Sequence, residues 1–364
     1  MIADSSTAAE LPTDYFALLR ALQRRAGAVR QPASGAFELT DRCNLSCQMC
    51  YIRHPANNAA RRQKELSASE WLALAQDAVD NGMVFLLLTG GEVFVRPDFF
   101  EIYSPLTRMG LILTLFTNGT LVTDRIAERL AEAPPGLTQI TIYGATAATY
   151  EAVTGVPGSY ARCCAGIEAL LKQRIPFDLR TTITQQNFGE LEAMRQMAHN
   201  WGLPFSGAWM LMQRRDGNPS NVDNCRLSAQ DCVSLEAADR ASADEWIETA
   251  SRDLSARSDS NFNCQAGRSI FVVNSFGQMN LCVNLSKPAA RPLNIGFRAA
   301  WEALQRFVDE APPPAPGCLA CDAQKFCPRC PAWSSVETGT LTEPVPYLCN
   351  IACMRKERYQ GMQP

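Results

Sequence analysis

Short runs of apolar and β-branched residues alternate with longer amphipathic stretches over residues 36–210. This alternation is typical of repeated βα units whose strands form a parallel sheet. Six runs are predicted to be strands, at residues 36–40, 83–89, 111–117, 138–143, 177–184 and 204–210. We therefore expect an α/β fold in which six units curl into a partial (β/α)6 barrel, similar in form to a TIM barrel.

Helices are predicted where capping residues precede amphipathic runs. Ser67 and Glu70 make a capping box before WLALAQDAV, and Thr123 precedes DRIAERLAEA. The segment DYFALLRALQRRAG has helical apolar spacing, and it predicts a helix that closes the bottom of the barrel.

The pattern divides the chain into four parts. Residues 1–35 are a helical segment, residues 36–212 the barrel, residues 213–261 a linker and helix, and residues 262–364 a cysteine-rich domain. The linker opens with the polar stretch QRRDGNPSNVDN, and the last part contains the proline-rich stretch APPPAPG. In the last part we expect metal ligation to replace a hydrophobic core.

Charge and hydropathy exclude several classes of protein. The 364 residues include 34 Lys and Arg against 37 Asp and Glu, so the net charge of -3 disfavours nucleic-acid binding. No apolar run approaches the roughly 18 residues that cross a bilayer, and the first residues lack the features of a secretory signal. These observations predict a cytoplasmic protein with no membrane partner.

Cysteine is unusually abundant, with 15 residues, whereas histidine occurs only twice. A reducing compartment disfavours disulfides, so the cysteines require a metal-binding explanation. With so few histidines, mixed Cys/His zinc sites and histidine-centred acid-base catalysis are both disfavoured.

Three cysteines lie in one loop directly after the first predicted strand. Cys43, Cys47 and Cys50 have CX3CX2C spacing. Three thiolates are one short of the four that usually hold a four-iron cluster, which leaves one iron open for a small chelating ligand. A partial zinc knuckle or three buried thiols are the simpler alternatives.

This loop resembles that of the radical S-adenosylmethionine (SAM) superfamily. The resemblance implies a [4Fe-4S] cluster whose open iron holds SAM. One electron then cleaves SAM to a 5'-deoxyadenosyl radical that abstracts hydrogen from the substrate. It also implies an electron donor such as flavodoxin or ferredoxin.

Further motifs carry the resemblance along the predicted barrel. Gly90, Gly91 and Glu92 match the motif that binds the amino group of SAM, where glycines allow close backbone approach and an acid suits an ammonium. The turn Thr117-Asn118-Gly119-Thr120 is also frequent in the family. Thr141 keeps a hydroxyl suited to SAM, whereas Tyr143 departs from the family pattern. Met49 stands where an aromatic residue usually precedes the third cysteine, so it is a candidate SAM contact.

The carboxy-terminal cysteines resemble the SPASM extension, which carries two auxiliary iron-sulfur clusters. They are Cys264, Cys282, Cys318, Cys321, Cys327, Cys330, Cys349 and Cys353. The first pair matches CX9-15GX4C, and the next four match CX2CX5CX3C with one residue missing before Cys330. The resemblance assigns Cys264, Cys282 and Cys330 to the nearer cluster. It assigns to the outer cluster Cys318, Cys321, Cys327 and Cys349.

One auxiliary ligand is therefore missing. The nearer cluster could have an open iron, Cys353 could supply the thiolate, or the ligand could come from elsewhere. A zinc ribbon is the structural alternative. Cys353 could also return hydrogen to a substrate radical.

Other residues have simpler interpretations. Buried packing is expected for Cys163, Cys164, Cys225 and Cys232. Glu38, Arg180 and Gln213 could face the barrel lumen, but strand alternation leaves their side undecided. His54 follows the cysteine loop and is expected at the surface.

SPASM enzymes mostly modify peptides or mature sulfatases, so the resemblance implies a peptide or protein substrate. Residues 1–35 are too few for the leader-binding domain of some peptide maturases. One rival is a radical SAM enzyme acting on a small molecule or cofactor precursor, such as a porphyrin. The other is a non-catalytic, zinc-stabilised binding protein.

Overall fold

Parallel strands and the helices between them form the central part of the molecule. The computed structural model describes residues 15–251 and 260–362. The strands in this part are β1 (Ser34–Thr40), β2 (Arg42–Cys43), β3 (His54–Pro55), β4 (Phe85–Gly90), β5 (Ile112–Thr117), β6 (Leu137–Thr141), β7 (Phe177–Thr182), β8 (Phe205–Ala208), β9 (Ile270–Val273) and β10 (Met279–Asn280).

Helices connect these strands and continue into the carboxy-terminal region. The α-helices are α1 (Tyr15–Ala28), α2 (Ala59–Arg62), α3 (Ala68–Asp80), α4 (Phe99–Leu106), α5 (Asp124–Ala131), α6 (Ala147–Thr154), α7 (Ser159–Lys172), α8 (Leu191–Asn200), α9 (Val222–Cys225), α10 (Ala229–Ala238), α11 (Arg240–Ser251), α12 (Pro292–Ile295), α13 (Phe297–Asp309), α14 (Pro316–Leu319), α15 (Pro331–Thr338) and α16 (Pro346–Tyr359). Short 3-10 turns cover Val93–Val95, Phe188–Glu190 and Gln324–Phe326.

The predicted α/β class and partial barrel are confirmed. Six strands pair in parallel in the order β1-β4-β5-β6-β7-β8, which is the order of the six predicted strands along the chain. The strands are joined by helices, as a parallel sheet requires. The carboxyl ends of all six therefore lie at one edge of the sheet.

Alternation along β1 separates the helix side of the sheet from the lumen. Phe37 and Leu39 are fully buried in the main core, and the Phe37 ring lies 4.8 Å from the Trp71 ring of α3, centroid to centroid. Glu38 lies between them, so its side chain points to the opposite face. The Ser67 capping box that starts α3 is present as predicted.

The sheet continues beyond the six predicted strands. β9 pairs in parallel with β1, and β10 pairs antiparallel with β9, giving eight strands in the described residues. The sheet therefore crosses the domain boundary expected at residue 262.

A hydrophobic core in the carboxy-terminal region corrects another expectation. Phe271 of β9, together with Trp301 and Leu304 of α13, is buried in the same core as Phe37. We expected metal ligation to replace apolar packing here, and this is wrong for β9 and α13. The reason is that α13 presents an apolar face to the extended sheet.

The amino-terminal helix α1 lies against the amino ends of the strands. Leu19 and Gln23 of α1 line a cavity of about 190 Å³ together with residues from the first halves of β1 and β4. Gln23 donates a hydrogen bond to the Ser34 hydroxyl at 3.0 Å. Over the described ranges, no helix is both long and apolar enough to cross a membrane.

Candidate active site

The three-cysteine loop lies at the carboxyl end of β1. Cys43 ends the short strand β2, and the backbone amide of Cys50 donates to the Cys47 carbonyl at 3.2 Å, which closes a turn between them. The Ser46 amide donates to Thr154 at the end of α6 at 2.8 Å. The loop is therefore fixed at both its centre and its end.

The structure brings the three thiols together. Burial raises the pKa of all three thiols, to about 12 for Cys43. After burial, the largest influences on the Cys47 thiol are Cys50 and Cys43, each of which raises its pKa. Thiolates at these positions consequently need a compensating positive charge, such as bound iron.

No three His, Cys, Asp or Glu side chains in the described ranges are arranged to hold a single metal ion.

Gly90 and Gly91 allow β4 to approach the start of the cysteine loop. The amides of Gly91 and Glu92 donate to the carbonyls of Thr40 and Arg42 at 2.8 and 2.9 Å. A Cβ on Gly90 would overlap the Thr40 carbonyl, and one on Gly91 would overlap the Arg42 carbonyl. The sequence argument expected these glycines to make room for a ligand. In the structure they make room for the backbone that leads into the cysteine loop.

Glu92 is a buried carboxylate beside the cysteine loop. The residue is 1% exposed, and its carboxylate accepts hydrogen bonds from the Thr117 hydroxyl and the Asn118 backbone amide, both at 2.8 Å. Burial raises its pKa to about 7 despite these bonds. No lysine, arginine or histidine in the described ranges forms an ion pair with it. A cationic group, such as an ammonium, would complete its environment.

Asn118 connects the turn after β5 to the cysteine loop. Its side-chain amide nitrogen lies 3.7 Å from the Cys43 sulfur and donates a hydrogen bond to the Asn44 side-chain oxygen at 3.0 Å. Its carbonyl oxygen accepts from the Thr120 amide at 2.9 Å. The Thr-Asn-Gly-Thr turn noted in the sequence thus holds both Cys43 and Glu92.

Tyr143, which departs from the family pattern, lies against the cysteine loop. Its hydroxyl forms a hydrogen bond with Cys47, which helps to lower the pKa of that thiol. Thr141 lies at the end of β6, partly buried, in register with Arg180 of β7. Met49 is buried in a small apolar cluster with Leu45, Leu211, Val153 and Val222.

A buried charge pair that the sequence did not reveal lies inside the barrel. The Glu38 carboxylate accepts from Arg215 at 2.6 Å and from the Tyr51 hydroxyl at 3.1 Å. Arg215 also donates to the carbonyl of Val283 at 2.9 Å, beside Cys282. This network joins the first cysteine loop to the carboxy-terminal region.

The polar stretch after residue 212, which was expected to be a linker, contacts the segment that follows the cysteine loop. Arg214 donates to the Arg53 carbonyl at 3.0 Å and forms an ion pair with Asp216 at 2.5 Å. A cavity of about 330 Å³ is lined by both arginines and by Gln48 of the cysteine loop. A run of charged residues is expected in solvent unless each charge has a partner, and here Arg214 pairs with Asp216 and Arg215 with Glu38.

The structure also places His54, expected at the surface, and Gln213, whose side was left undecided. His54 is partly buried between Asp41 and Asp216, at 3.9 and 3.6 Å, and not at the surface. Burial lowers its pKa, and so does Arg61. Gln213 donates a hydrogen bond to the exposed Asp223 carboxylate at 3.0 Å.

The carboxy-terminal cysteines form two groups. In the first, Cys264 and Cys330 both raise the pKa of the Cys282 thiol, after burial. These three are the ones assigned to the nearer auxiliary cluster.

The second group surrounds Cys349 on α16. Cys318 and Cys321 both raise the pKa of the Cys349 thiol, as does Cys353, and Cys349 in turn raises the pKa of Cys327. Cys353 thus lies beside the outer group, one helical turn from Cys349, and it is exposed. The structure does not bring it to Cys264, Cys282 and Cys330.

The remaining cysteines lie in packed surroundings. Cys163, Cys225 and Cys232 are buried, and Cys164 is half-buried on α7. The Cys232 sulfur lies 3.4 Å from the Tyr347 hydroxyl. These positions agree with the expected packing roles.

The cysteine loop and Glu92 fit the group that the sequence implies. Cys47 is buried, Cys43 and Cys50 are half-buried, and the buried Glu92 carboxylate beside them has no cationic partner in the described ranges. A multi-iron cluster held by the three thiolates and an ammonium held by Glu92 are both complementary to these residues. Cys43, Cys47 and Cys50 would hold the cluster, and Glu92 would bind the amino group of SAM.

Comparison with known proteins gives the class of this chain. Residues 37–198 match the family model of the Radical SAM superfamily. The chain is 29% identical to a protein named AdoMet-dependent heme synthase from Methanosarcina barkeri (strain Fusaro / DSM 804), over 86% of this chain and 95% of that protein. It is 32% identical to a PqqA peptide cyclase from Rhizobium meliloti (strain 1021), over 46% of this chain and 44% of that one.

A solved structure has the same fold along most of the chain. Streptococcus suis SuiB bound to S-adenosylmethionine aligns with a TM-score of 0.69 at 15% identity, covering 94% of this chain and 84% of SuiB. SuiB has also been solved bound to its precursor peptide SuiA.

Residues 37–198 are a radical SAM domain, and the chain resembles enzymes named as synthases and peptide cyclases. A domain of this kind implies a [4Fe-4S] cluster and SAM. The non-catalytic binding protein is thereby excluded.

Proposed function

We propose that this enzyme abstracts hydrogen from a peptide or protein and so installs a post-translational modification. The product would be a crosslink, a thioether, an inverted residue or an oxidised side chain. The observation that carries the assignment is the buried Glu92 carboxylate, which lies beside the three-cysteine loop and has no cationic partner in the described ranges. When bound, the cluster and SAM supply the 5'-deoxyadenosyl radical.

The residues of this chain hold and shape the site. Cys43, Cys47 and Cys50 provide the cluster thiolates, and Glu92 orients the amino group of SAM. Asn118 keeps Cys43 and Glu92 in one arrangement because it contacts both. Thr141 and Met49 remain candidate SAM contacts.

Two auxiliary iron-sulfur clusters are part of the proposal. The electrostatic grouping of Cys264, Cys282 and Cys330 supports a nearer cluster with three cysteine ligands. The grouping around Cys349 supports an outer cluster, and its proposed ligands are Cys318, Cys321, Cys327 and Cys349. Cys353 lies beside the outer group, so a fourth ligand for the nearer cluster would come from another source.

Peptide modification is supported by proteins that resemble both halves of the chain. SuiB, which aligns with nearly the whole chain, has been solved with its precursor peptide. The barrel half is also similar to a protein named PqqA peptide cyclase. An electron donor such as flavodoxin or ferredoxin would supply the reducing electron.

A second candidate substrate is a heme precursor. One observation favours it, namely that the relative matching 86% of this chain is named AdoMet-dependent heme synthase. The chemistry of radical formation would be the same, so the two candidates differ only in the molecule that loses hydrogen.

The first test measures SAM cleavage. Anaerobically reconstituted protein should be brown, and after reduction it should form 5'-deoxyadenosine from SAM. Replacing Cys43, Cys47 and Cys50 together with Ala should abolish this product, whereas the matched variant Cys164→Ala should keep it. Unchanged cleavage in the triple variant, with iron analysis confirming cluster loss, would refute the assignment.

The second test distinguishes the substrates. Short peptides encoded beside the gene should be co-expressed with the enzyme and examined by mass spectrometry, and purified enzyme should be incubated with heme precursors. A mass change in a peptide, absent with the triple cysteine variant, supports peptide modification. Turnover of a heme precursor with no peptide change overturns it.

A further inference from the structure

The segment that follows the cysteine loop is basic throughout. Residues 51–64 include Arg53, Arg61, Arg62 and Lys64, and they contain no Asp or Glu. The whole chain, in contrast, has a net charge of -3. A local excess of positive charge on a chain of net negative charge is typical of a surface that attracts a negatively charged partner.

Three of these cations have no ion pair among the described residues. Arg62, the last residue of α2, and Lys64, two residues later, are exposed. Arg53 is half-buried, and its recorded side-chain hydrogen bond goes to the Ser46 carbonyl at 2.8 Å. We call Arg53, Arg62 and Lys64 the basic surface. Their charges are available to a partner protein.

The acids that face this segment are already paired. Asp41 forms an ion pair with Arg61, and Asp216 forms one with Arg214 at 2.5 Å. Glu65, the next acid in the chain, is itself buried in an ion pair. These carboxylates therefore leave the basic surface positive. The pair between Asp41 and Arg61 also holds α2 beside the start of the cysteine loop.

The basic surface lies at the outer side of the cysteine loop. Ser46, which the Arg53 guanidinium contacts, is an exposed residue in the middle of this loop. Burial raises the pKa of the Cys50 thiol, and the charges of Arg214 and Arg53 oppose this rise. Arg53, Arg214 and Gln48 also line the cavity of about 330 Å³ beside the loop. A protein bound here would contact the loop that holds the first cluster.

The outer cysteine group lacks a comparable excess of positive charge. Lys356 of α16 forms an ion pair with Asp322 and lies within electrostatic reach of Cys353. Glu357 and Arg358, the next two residues, are both exposed and cancel in charge. The charge distribution therefore favours the first cysteine loop over the outer group as the contact point of an acidic protein.

We propose that Arg53, Arg62 and Lys64 form the docking surface for an acidic protein that carries single electrons. The proposal rests on the proposed function, because that function requires one electron at the first cluster. The carrier would lose one electron and the cluster would gain it, and no bond forms or breaks in this transfer. Opposite charges across such an interface raise the association rate and orient the carrier. Because electron transfer slows steeply with distance, contact beside the loop is favoured.

The test compares flavodoxin, an acidic electron carrier, with saturating dithionite, a small reductant that needs no docking surface. Reconstituted full-length protein is studied at low ionic strength. Isothermal titration calorimetry measures flavodoxin binding, and 5'-deoxyadenosine formation is measured with each reductant. In Arg62→Glu/Lys64→Glu, flavodoxin affinity and the flavodoxin-driven rate should both fall about tenfold or more. The dithionite-driven rate should equal that of wild type.

Matched variants separate a local charge from the net charge. Arg24→Glu/Arg25→Glu makes the same charge change at two exposed arginines of α1, at the amino end of the barrel, and should behave as wild type. Arg62→Lys/Lys64→Arg keeps both charges and should also behave as wild type. Added salt should weaken flavodoxin binding by wild type. Equal losses in the α1 variant and in Arg62→Glu/Lys64→Glu would show that only net charge matters, and would overturn the proposal.

Two further outcomes overturn it. One is an absence of flavodoxin binding by wild type at low salt. The other is a slower flavodoxin-driven reaction in Lys356→Glu/Arg358→Glu with none in Arg62→Glu/Lys64→Glu, which would place electron entry at the outer group. Flavodoxin binding does not require SAM cleavage. Failure of the dithionite-driven reaction in wild type would therefore count against the proposed function, and the binding measurement would still decide this proposal.

Discussion

Glu92 is an ionisable residue that is almost completely buried at the proposed SAM site. Its carboxylate is held by donors from the turn after β5, yet burial still raises its pKa to about 7. A buried carboxylate that accepts hydrogen bonds from the Thr117 hydroxyl and the Asn118 backbone amide is ready to bind a cation. The contribution of Glu92 to ligand binding and its cost to the metal-free protein can be measured separately.

Replacing Glu92 with Gln should weaken SAM binding by about tenfold or more, because a charge-assisted hydrogen bond is lost. The measurement is equilibrium binding of SAM to the reconstituted protein. Glu128→Gln, on the exposed face of α5, is the matched control and should bind SAM normally. Equal affinity in Glu92→Gln and wild type would contradict the assigned role.

Glu92 should also make the metal-free protein less stable as pH rises. Its folded pKa of about 7 lies above the ordinary value of 4.5, so between these values the folded state binds more protons than the unfolded state. The free energy of unfolding therefore falls as pH increases through this window, by roughly 3 kcal/mol from this group. Urea denaturation should show that Glu92→Gln gains stability relative to wild type between about pH 5 and about pH 8. A constant difference across this range would show that the carboxyl is not desolvated.

Asn118 should tune the redox potential of the first cluster. Its amide lies 3.7 Å from the Cys43 sulfur, and hydrogen bonds to cluster thiolates raise the reduction potential. Asn118→Ala should thus shift the midpoint to a more negative value, measured by redox titration with electron paramagnetic resonance. Asn81→Ala, at the end of α3, should leave the midpoint unchanged. A midpoint that does not move in Asn118→Ala would show that this contact is absent in the loaded protein.

Among the elements, the junction between β1 and β4 decides the shape of the site. Gly91 and Glu92 donate backbone hydrogen bonds to the chain that enters the cysteine loop. This contact is possible because Gly90 and Gly91 lack a Cβ. The same two residues therefore bring Glu92 and Cys43 to neighbouring positions.

Gly91→Ala should disrupt this junction. The added Cβ would overlap the Arg42 carbonyl, which is backbone and cannot rotate away. We expect a loss of roughly 2 kcal/mol or more in the free energy of unfolding, and reduced iron binding by Cys43, Cys47 and Cys50. Chemical denaturation and iron analysis are the measurements. Gly189→Ala is the control because no atom lies within 4 Å of its added Cβ. Similar behaviour of both variants would show that the junction can relax.

At the scale of the whole molecule, the barrel and the carboxy-terminal region share one core. β9 extends the barrel sheet, and α13 covers β9 with Trp301 and Leu304. Arg215 adds a polar connection between Glu38 of the barrel and Val283 beside Cys282. The two cysteine-containing regions are thus joined by one continuous hydrophobic core.

Phe271→Ala should destabilise both regions together. Phe271 is fully buried and contacts the rings of Phe297 and Trp301, so its loss should cost about 3–5 kcal/mol. Far-ultraviolet circular dichroism and tryptophan fluorescence should report one coincident transition, shifted to lower denaturant. Leu319→Ala, at an exposed site of the same region, should change little. Two separate transitions would contradict a shared core.

The order of elements along the chain was determined by the sequence. The six strands, the capping box at Ser67 and the helix over Tyr15–Ala28 follow from local periodicity and capping chemistry, which depend on neighbouring residues only. The cysteine spacing and the Gly-Gly-Glu motif likewise located the candidate site, because three residues in one loop must be close together.

Only the tertiary structure decided which distant residues meet. Arg215 pairs with the Glu38 carboxylate, whereas Arg180 donates a hydrogen bond to the Gln139 side chain and has no carboxylate partner in the described ranges. The sequence could not predict this, because alternation leaves the two faces of a strand equivalent until a core is packed on one of them. The contacts of Arg214 and Arg215 in the polar stretch after residue 212 were also decided by the tertiary structure, since a charge can lie inside a protein when folding supplies its partner.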